Sequence, residues 1–201
     1  MMIQGVSINE MLNQSITVLT KPSVQSFEQY ERRGGQREAL IYVGAAAALA
    51  GLVGAVFGLL TGGVAGLIGG LVIGIVGPLL SFFVFSFLVY TIGKSQGGTG
   101  TQDEVFYTCA LYTAPIQAVT GIVGAIPLLG CLLWPATLIL GLYQLYLGYL
   151  ATRSSMNLDQ NKAIITVVAS IVAMWIAGAI LTFILAAVGI GAAAASGALN
   201  R

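Results

Sequence analysis

The chain has 201 residues, of which 57% are hydrophobic and 7% charged, with a mean hydropathy of +0.93. Globular domains carry about 25% charged residues, so a polytopic membrane protein built of helices is expected. Eight basic against seven acidic residues leave a net charge of +1 and no basic surface for nucleic acid, while the absence of histidine excludes His-dependent triads, HExxH metal sites and histidine proton relays.

Residues 1–37 are expected to form a cytoplasmic amphipathic segment. The opening MMIQGVSINE lacks the basic-then-apolar pattern of a leader, so the first span is expected to act as its own insertion signal. Ile8, Met11, Leu12, Ile16 and Leu19 recur at helical spacing, with Asn9, Glu10, Asn13 and Gln14 on the other face, until Lys21 and Pro22 interrupt. This predicts a helix lying in the membrane interface or packed under the bundle. A short turn with Val24, Phe27 and Tyr30 follows, and Phe27 and Tyr30 are candidate anchors for a docking partner.

Long apolar runs then predict a bundle of five transmembrane helices over residues 38–192, at about 38–60, 64–92, 105–126, 128–151 and 163–190. Residues 193–201 form a short external tail. Thr61, Gly62 and Gly63 turn a tight hairpin between the first two spans, and Pro127 marks the turn between the third and fourth. Gly54 and Gly58 on the first span, with Gly66, Gly70 and Gly74 on the second, stand at spacing four. Such small-residue ridges let helix backbones approach closely, and a second copy of the chain is an alternative user of the same ridges. Gly77 and Pro78 are expected to kink the second span.

The stretch GGTGTQDEVFYTCALYTAP at 97–115 places a glycine-rich polar loop before the third span. Thr101 and Glu104 have the spacing of a capping box, and Asp103 and Glu104 suit the positive helix start. Gly93, Lys94 and Ser95 end like a phosphate loop, but Leu88 stands where its first glycine belongs and no strand precedes it. Cys109 and Cys131 fall near opposite ends of their spans, too far apart for a disulfide, and are read as small buried residues.

Polar groups concentrate in the third and fourth spans. Gln117 and Gln144 lie too deep to remain unpaired, and together with Tyr112 and Tyr143 they are candidates to line a polar cavity. Interhelical hydrogen bonds and an aromatic belt are the alternative use of these side chains. Trp175 in the fifth span is read as a packing residue. No Asp, Glu, Lys or Arg falls inside a span except near its ends, which argues against ion coupling. Seven of the eight Lys and Arg residues flank the spans on the N-terminal side, which places the N-terminus in the cytoplasm and the C-terminus outside.

Two stretches, GGTGTQDEVFYTCALYTAP and WPATLILGLYQLYLGYLATRSSMNLDQNKAIITVV, carry a resemblance to the Yip family, the five-span membrane proteins named for interaction with Ypt/Rab GTPases. The resemblance extends from the segment with Lys21, Pro22 and Phe27 through the fifth span. It implies a cytoplasmic N-terminus and, in eukaryotic members, a part in Golgi and ER membrane traffic. No acidic-Leu-Tyr-Gly-Pro motif precedes the first span, which leaves a Rab-type GTPase without its expected binding motif. The chain looks more like the family's short prokaryotic members, placed in the cytoplasmic membrane. The expectation is a non-enzymatic scaffold or adaptor without cofactor or metal, whose partners are the bilayer and other membrane proteins. The alternative is a passive channel, lipid scramblase or small-solute transporter.

Overall fold

The computed structural model describes the backbone of residues 5–199 and the side chains of residues 5–180, 182 and 183. Among the described residues the fold is all helix: α1 (Ile8–Thr20), α2 (Val24–Glu28), α3 (Gln36–Ser95), α4 (Gln102–Ala125), α5 (Leu129–Leu132), α6 (Trp134–Met156) and α7 (Gln160–Leu199). The tail read at 193–201 continues α7 as far as Leu199, and Asn200 and Arg201 lie outside the described residues.

Local chemistry sets the helix ends. Ser7 and Glu10 form a reciprocal cap on α1, and Ser23 caps α2 by accepting from the Ser26 amide. α4 starts on the expected box: the Glu104 amide donates to Thr101 Oγ1 at 3.3 Å, and the Thr101 amide donates to Glu104 Oε2 at 2.7 Å. α6 ends at Asn157, whose left-handed φ of 52° closes the last turn as asparagine tolerates.

α3 contains 60 residues, about 90 Å of helix and about three times the hydrocarbon thickness, so it must reverse. The break is Gly63, with φ 59° and ψ −147°, which leaves two arms that return against each other. Gly51 faces Gly74, Gly54 faces Gly70, and Gly58 faces Gly66 in antiparallel register. A Cβ added to Gly58 would run into the Gly66 carbonyl, and one added to Gly66 into the Gly58 carbonyl.

Among the described residues three helices are long and apolar enough to cross a membrane: α3, α4, and α7 over Gln160–Ile180. Their most apolar stretches are buried to 17%, 61% and 22% respectively, so α4 is the central helix and the other two face outward. α6 falls outside this set because Tyr143, Gln144, Tyr146 and Tyr149 lower its hydropathy. The expected start of the fourth span at residue 128 also differs. Pro127 and Pro135 leave the single turn α5 between them, with φ 71° at Leu128, and α6 begins only at Trp134.

The hydrophobic core is concentrated at one end of the bundle. Val105–Leu111 of α4, Leu147–Ala151 of α6, Tyr42 and Val43 of α3, and Met11, Val18 and Phe27 of the N-terminal segment form it together. We call this the capped end. The glycine loop after α3 closes it by lying against the end of α6. Gly100 packs onto the Ser155 carbonyl so closely that no Cβ would fit, and the Thr99 amide donates to Met156 O at 3.0 Å.

Candidate functional site

Two arrangements draw on the polar residues of α4 and α6. The first is the seat of the N-terminal segment. The Tyr107 hydroxyl donates to Gln14 Oε1 at 2.7 Å, and the Tyr143 hydroxyl donates to the Leu19 carbonyl at 2.5 Å. The hydroxyls of Ser15 and Tyr42 share a hydrogen bond of 2.9 Å. Gln14, assigned by helical spacing to the polar face, is therefore buried, because its amide answers a tyrosine that could not otherwise be buried cheaply. Ile8, Leu12 and Ile16 form the outward ridge of α1, each about half exposed.

Phe27 also departs from the sequence expectation. Its ring, read as a docking anchor, has no exposure and meets Tyr112 edge-on at 6.3 Å between centroids. Tyr30 is half-buried, with the Arg33 guanidinium over its ring at 5.6 Å. Beyond it Glu31 is buried and accepts from Ser154 Oγ at 2.9 Å. Burial pushes the Glu31 carboxyl above its ordinary value; nearby Glu104 and Glu28 add to this, while Ser154 and Arg32 oppose it. Arg32 donates to Glu104 Oε1 at 3.1 Å, and the Gln36 amide donates to Asp103 Oδ1 at 2.9 Å. The two adjacent carboxylates thus cap α4 and hold the approach to α3.

The second arrangement is a cavity of about 280 Å³ at mid-span between α3, α4, α6 and α7. Tyr112, Thr113 and Gln117 of α4 and Gln144 of α6 line it, together with Phe82 and Phe85 of α3 and Ile171, Met174 and Trp175 of α7. Tyr112, Gln117 and Gln144 are brought together, while Tyr143 turns away to Leu19. Thr113 Oγ1 and Gln117 Oε1 are buried and have no hydrogen-bond partner among the described residues. Tyr112, packed on Phe27, closes the cavity toward the capped end. Trp175, read as a packing residue, is 79% exposed and stands at the mouth. Of the two cysteines, Cys109 is buried as expected, but Cys131 on α5 is exposed.

A model of the Yip1 domain matches residues 16–182. The chain belongs to the Yip1 domain family. No curated protein and no solved structure matches it. This Yip1-domain chain is a membrane protein, and the matched stretch runs from Ile16 in α1 to Thr182 in α7, so it spans the cavity and most of the cap. Within that stretch, Glu31, Tyr42 and Ser154 are structural polar residues that hydropathy did not single out. The one signal for them was the concentration of tyrosine toward one end of α4 and α6, which required polar partners at that end.

Proposed function

We propose that this Yip1-domain protein is a non-enzymatic scaffold or adaptor that organises membrane components through protein interactions. In this reading it crosses the bilayer five times, with the two arms of α3, α4, α6 and α7, and its capped end is cytoplasmic. The cytoplasmic membrane of a prokaryote is its setting. The observation that supports the reading is the packing on the capped side of the cavity: Tyr112, which lines it, is buried and meets the fully enclosed Phe27 ring edge-on. The charged groups nearest that packing are held in caps and pairs: Glu31 with Ser154, Glu104 with Thr101 and Arg32, Asp103 with Gln36. Interactions with other membrane proteins fall to exposed surfaces, the Ile8, Leu12 and Ile16 ridge and the outer faces of α3 and α7, and to the half-buried Tyr30.

The alternative, a passive channel, scramblase or small-solute transporter, draws on Gln117 and Gln144 at mid-span. Purified protein in liposomes separates the two. The adaptor reading expects no ion, small-solute or lipid flux above empty vesicles, and, in native membranes, discrete membrane-protein adducts from a photo-crosslinker placed at Leu12 or Tyr30. Protein-dependent flux that disappears in Gln117→Leu or Gln144→Leu would overturn it.

A further inference from the structure

The mid-span cavity has the chemistry of a ligand site that neither the adaptor reading nor family membership assigns. Thr113 is 4% exposed, yet its hydroxyl has no partner among the described residues, and one helical turn on Gln117 Oε1 is also buried and unpaired. An unpaired polar atom removed from water costs about 1–3 kcal/mol, so two on one wall of one cavity ask for an occupant. The Tyr112 hydroxyl, on the same wall, makes a long contact to Cys109 Sγ at 3.9 Å. Gln117 Oε1 can only accept, so the occupant must donate, whereas the Thr113 hydroxyl rotates to give or take.

The rest of the lining sets the class. Among the described residues no Asp, Glu, Lys or Arg lines the cavity, so a phosphate or carboxylate would be buried there without a counter-charge. Phe85, Ile171, Met174 and Trp175 form an apolar wall that leads to the exposed Trp175, and in the five-crossing reading this wall opens to hydrocarbon. A volume of about 280 Å³ takes a small polar head and the first carbons of a chain, not a whole lipid. We propose that the cavity binds an uncharged, hydroxyl-bearing lipid of the diacylglycerol class, its hydroxyl donating to Gln117 Oε1 beside Thr113 and its chains leaving past Trp175 into the bilayer. The proposal rests on the five-crossing arrangement and not on the adaptor reading.

Trp134 and Trp175 are the chain's two tryptophans, so Trp134→Phe leaves a single reporter at the mouth. Its fluorescence is followed in phosphatidylcholine nanodiscs containing increasing dibrominated diacylglycerol, with the same bromine content in phosphatidylcholine, and in the acetylated diacylglycerol, as comparisons. The expected result is saturable quenching by diacylglycerol over a linear background from the other two. Gln117→Leu should weaken the saturable component about tenfold, the effect of one lost buried hydrogen bond. Gly141→Leu should abolish it by filling the cavity; a Cβ at Gly141 meets nothing within 4 Å, so the fold accommodates the start of the new side chain. Equal quenching by all three lipids, or saturable quenching untouched by either substitution, would overturn the proposal.

Discussion

Glu104 serves three partners with one carboxylate: the Thr101 amide on one oxygen, Arg32 on the other, and Glu31 through its repulsion. That repulsion adds to the burial that already raises the Glu31 carboxyl, so the folded protein holds a proton on Glu31 to higher pH than the unfolded chain does. A group raised in this way contributes stability below its unfolded value and loses it as pH rises through its folded value. Wild type should therefore lose thermal stability relative to Glu31→Gln as pH rises from the ordinary carboxylate range upward through the raised Glu31 value. The glutamine retains an acceptor for Ser154 Oγ, so the difference between the two proteins isolates the charge. A difference that stays flat across that window would show that Glu31 is not desolvated in the folded state.

At the scale of the helix, α3 offers neighbouring glycines with opposite expectations. A Cβ on Gly70 would overlap the Gly54 carbonyl and come within 2.7 Å of the Ala55 amide nitrogen, whereas one on Gly69 meets nothing within 4 Å. Both are helical, so alanine removes the same backbone freedom at each. Gly70→Ala should destabilise by about 1–3 kcal/mol, because two backbones must separate. Gly69→Ala should stabilise by about 0.5–1 kcal/mol through helix propensity alone. Thermal unfolding in one detergent compares them, and equal behaviour would mean that the arms do not meet at Gly54 and Gly70. A β-carbon at Gly63 is a separate case, strained by its positive φ whatever the space.

For the whole molecule, the cap and the charge distribution make one topological claim. Lys21, Arg32, Arg33, Arg37, Lys94, Arg153 and Lys162 should share the cytoplasmic side with the N-terminal segment, while the Gly63 turn lies across the membrane. In a background lacking Cys109 and Cys131, cysteines placed at the exposed positions Ser95 and Gln160 should react only with reagent admitted to the cytoplasm, and one at Thr61 with reagent outside. Labelling of Ser95→Cys from outside would overturn the five-crossing arrangement. Among the described residues the capped end carries most of the fixed hydrogen bonds between elements, while α3 around the Gly63 turn, the start of α6 and α7 from Trp175 to Ile180 are broadly exposed, so the side-chain specificity described here resides at one end of the bundle.

The sequence by itself determined the membrane class, the all-helical fold and the family, since these follow from composition and from local patterns that need no partner. The Thr101 and Glu104 cap and the break at Gly63 were legible for the same reason: each is decided within a few residues. Which apolar face turns inward was not legible, because lipid is as apolar as a protein core and hydropathy cannot tell the two apart. Trp175 and Cys131 face outward for this reason, whereas Phe27 is enclosed and Gln14 is buried against Tyr107. Only the tertiary structure decided that Tyr143 secures the N-terminal segment while Tyr112, Gln117 and Gln144 border one cavity. A buried polar group is placed by its partner, and these partners lie many residues away in the chain.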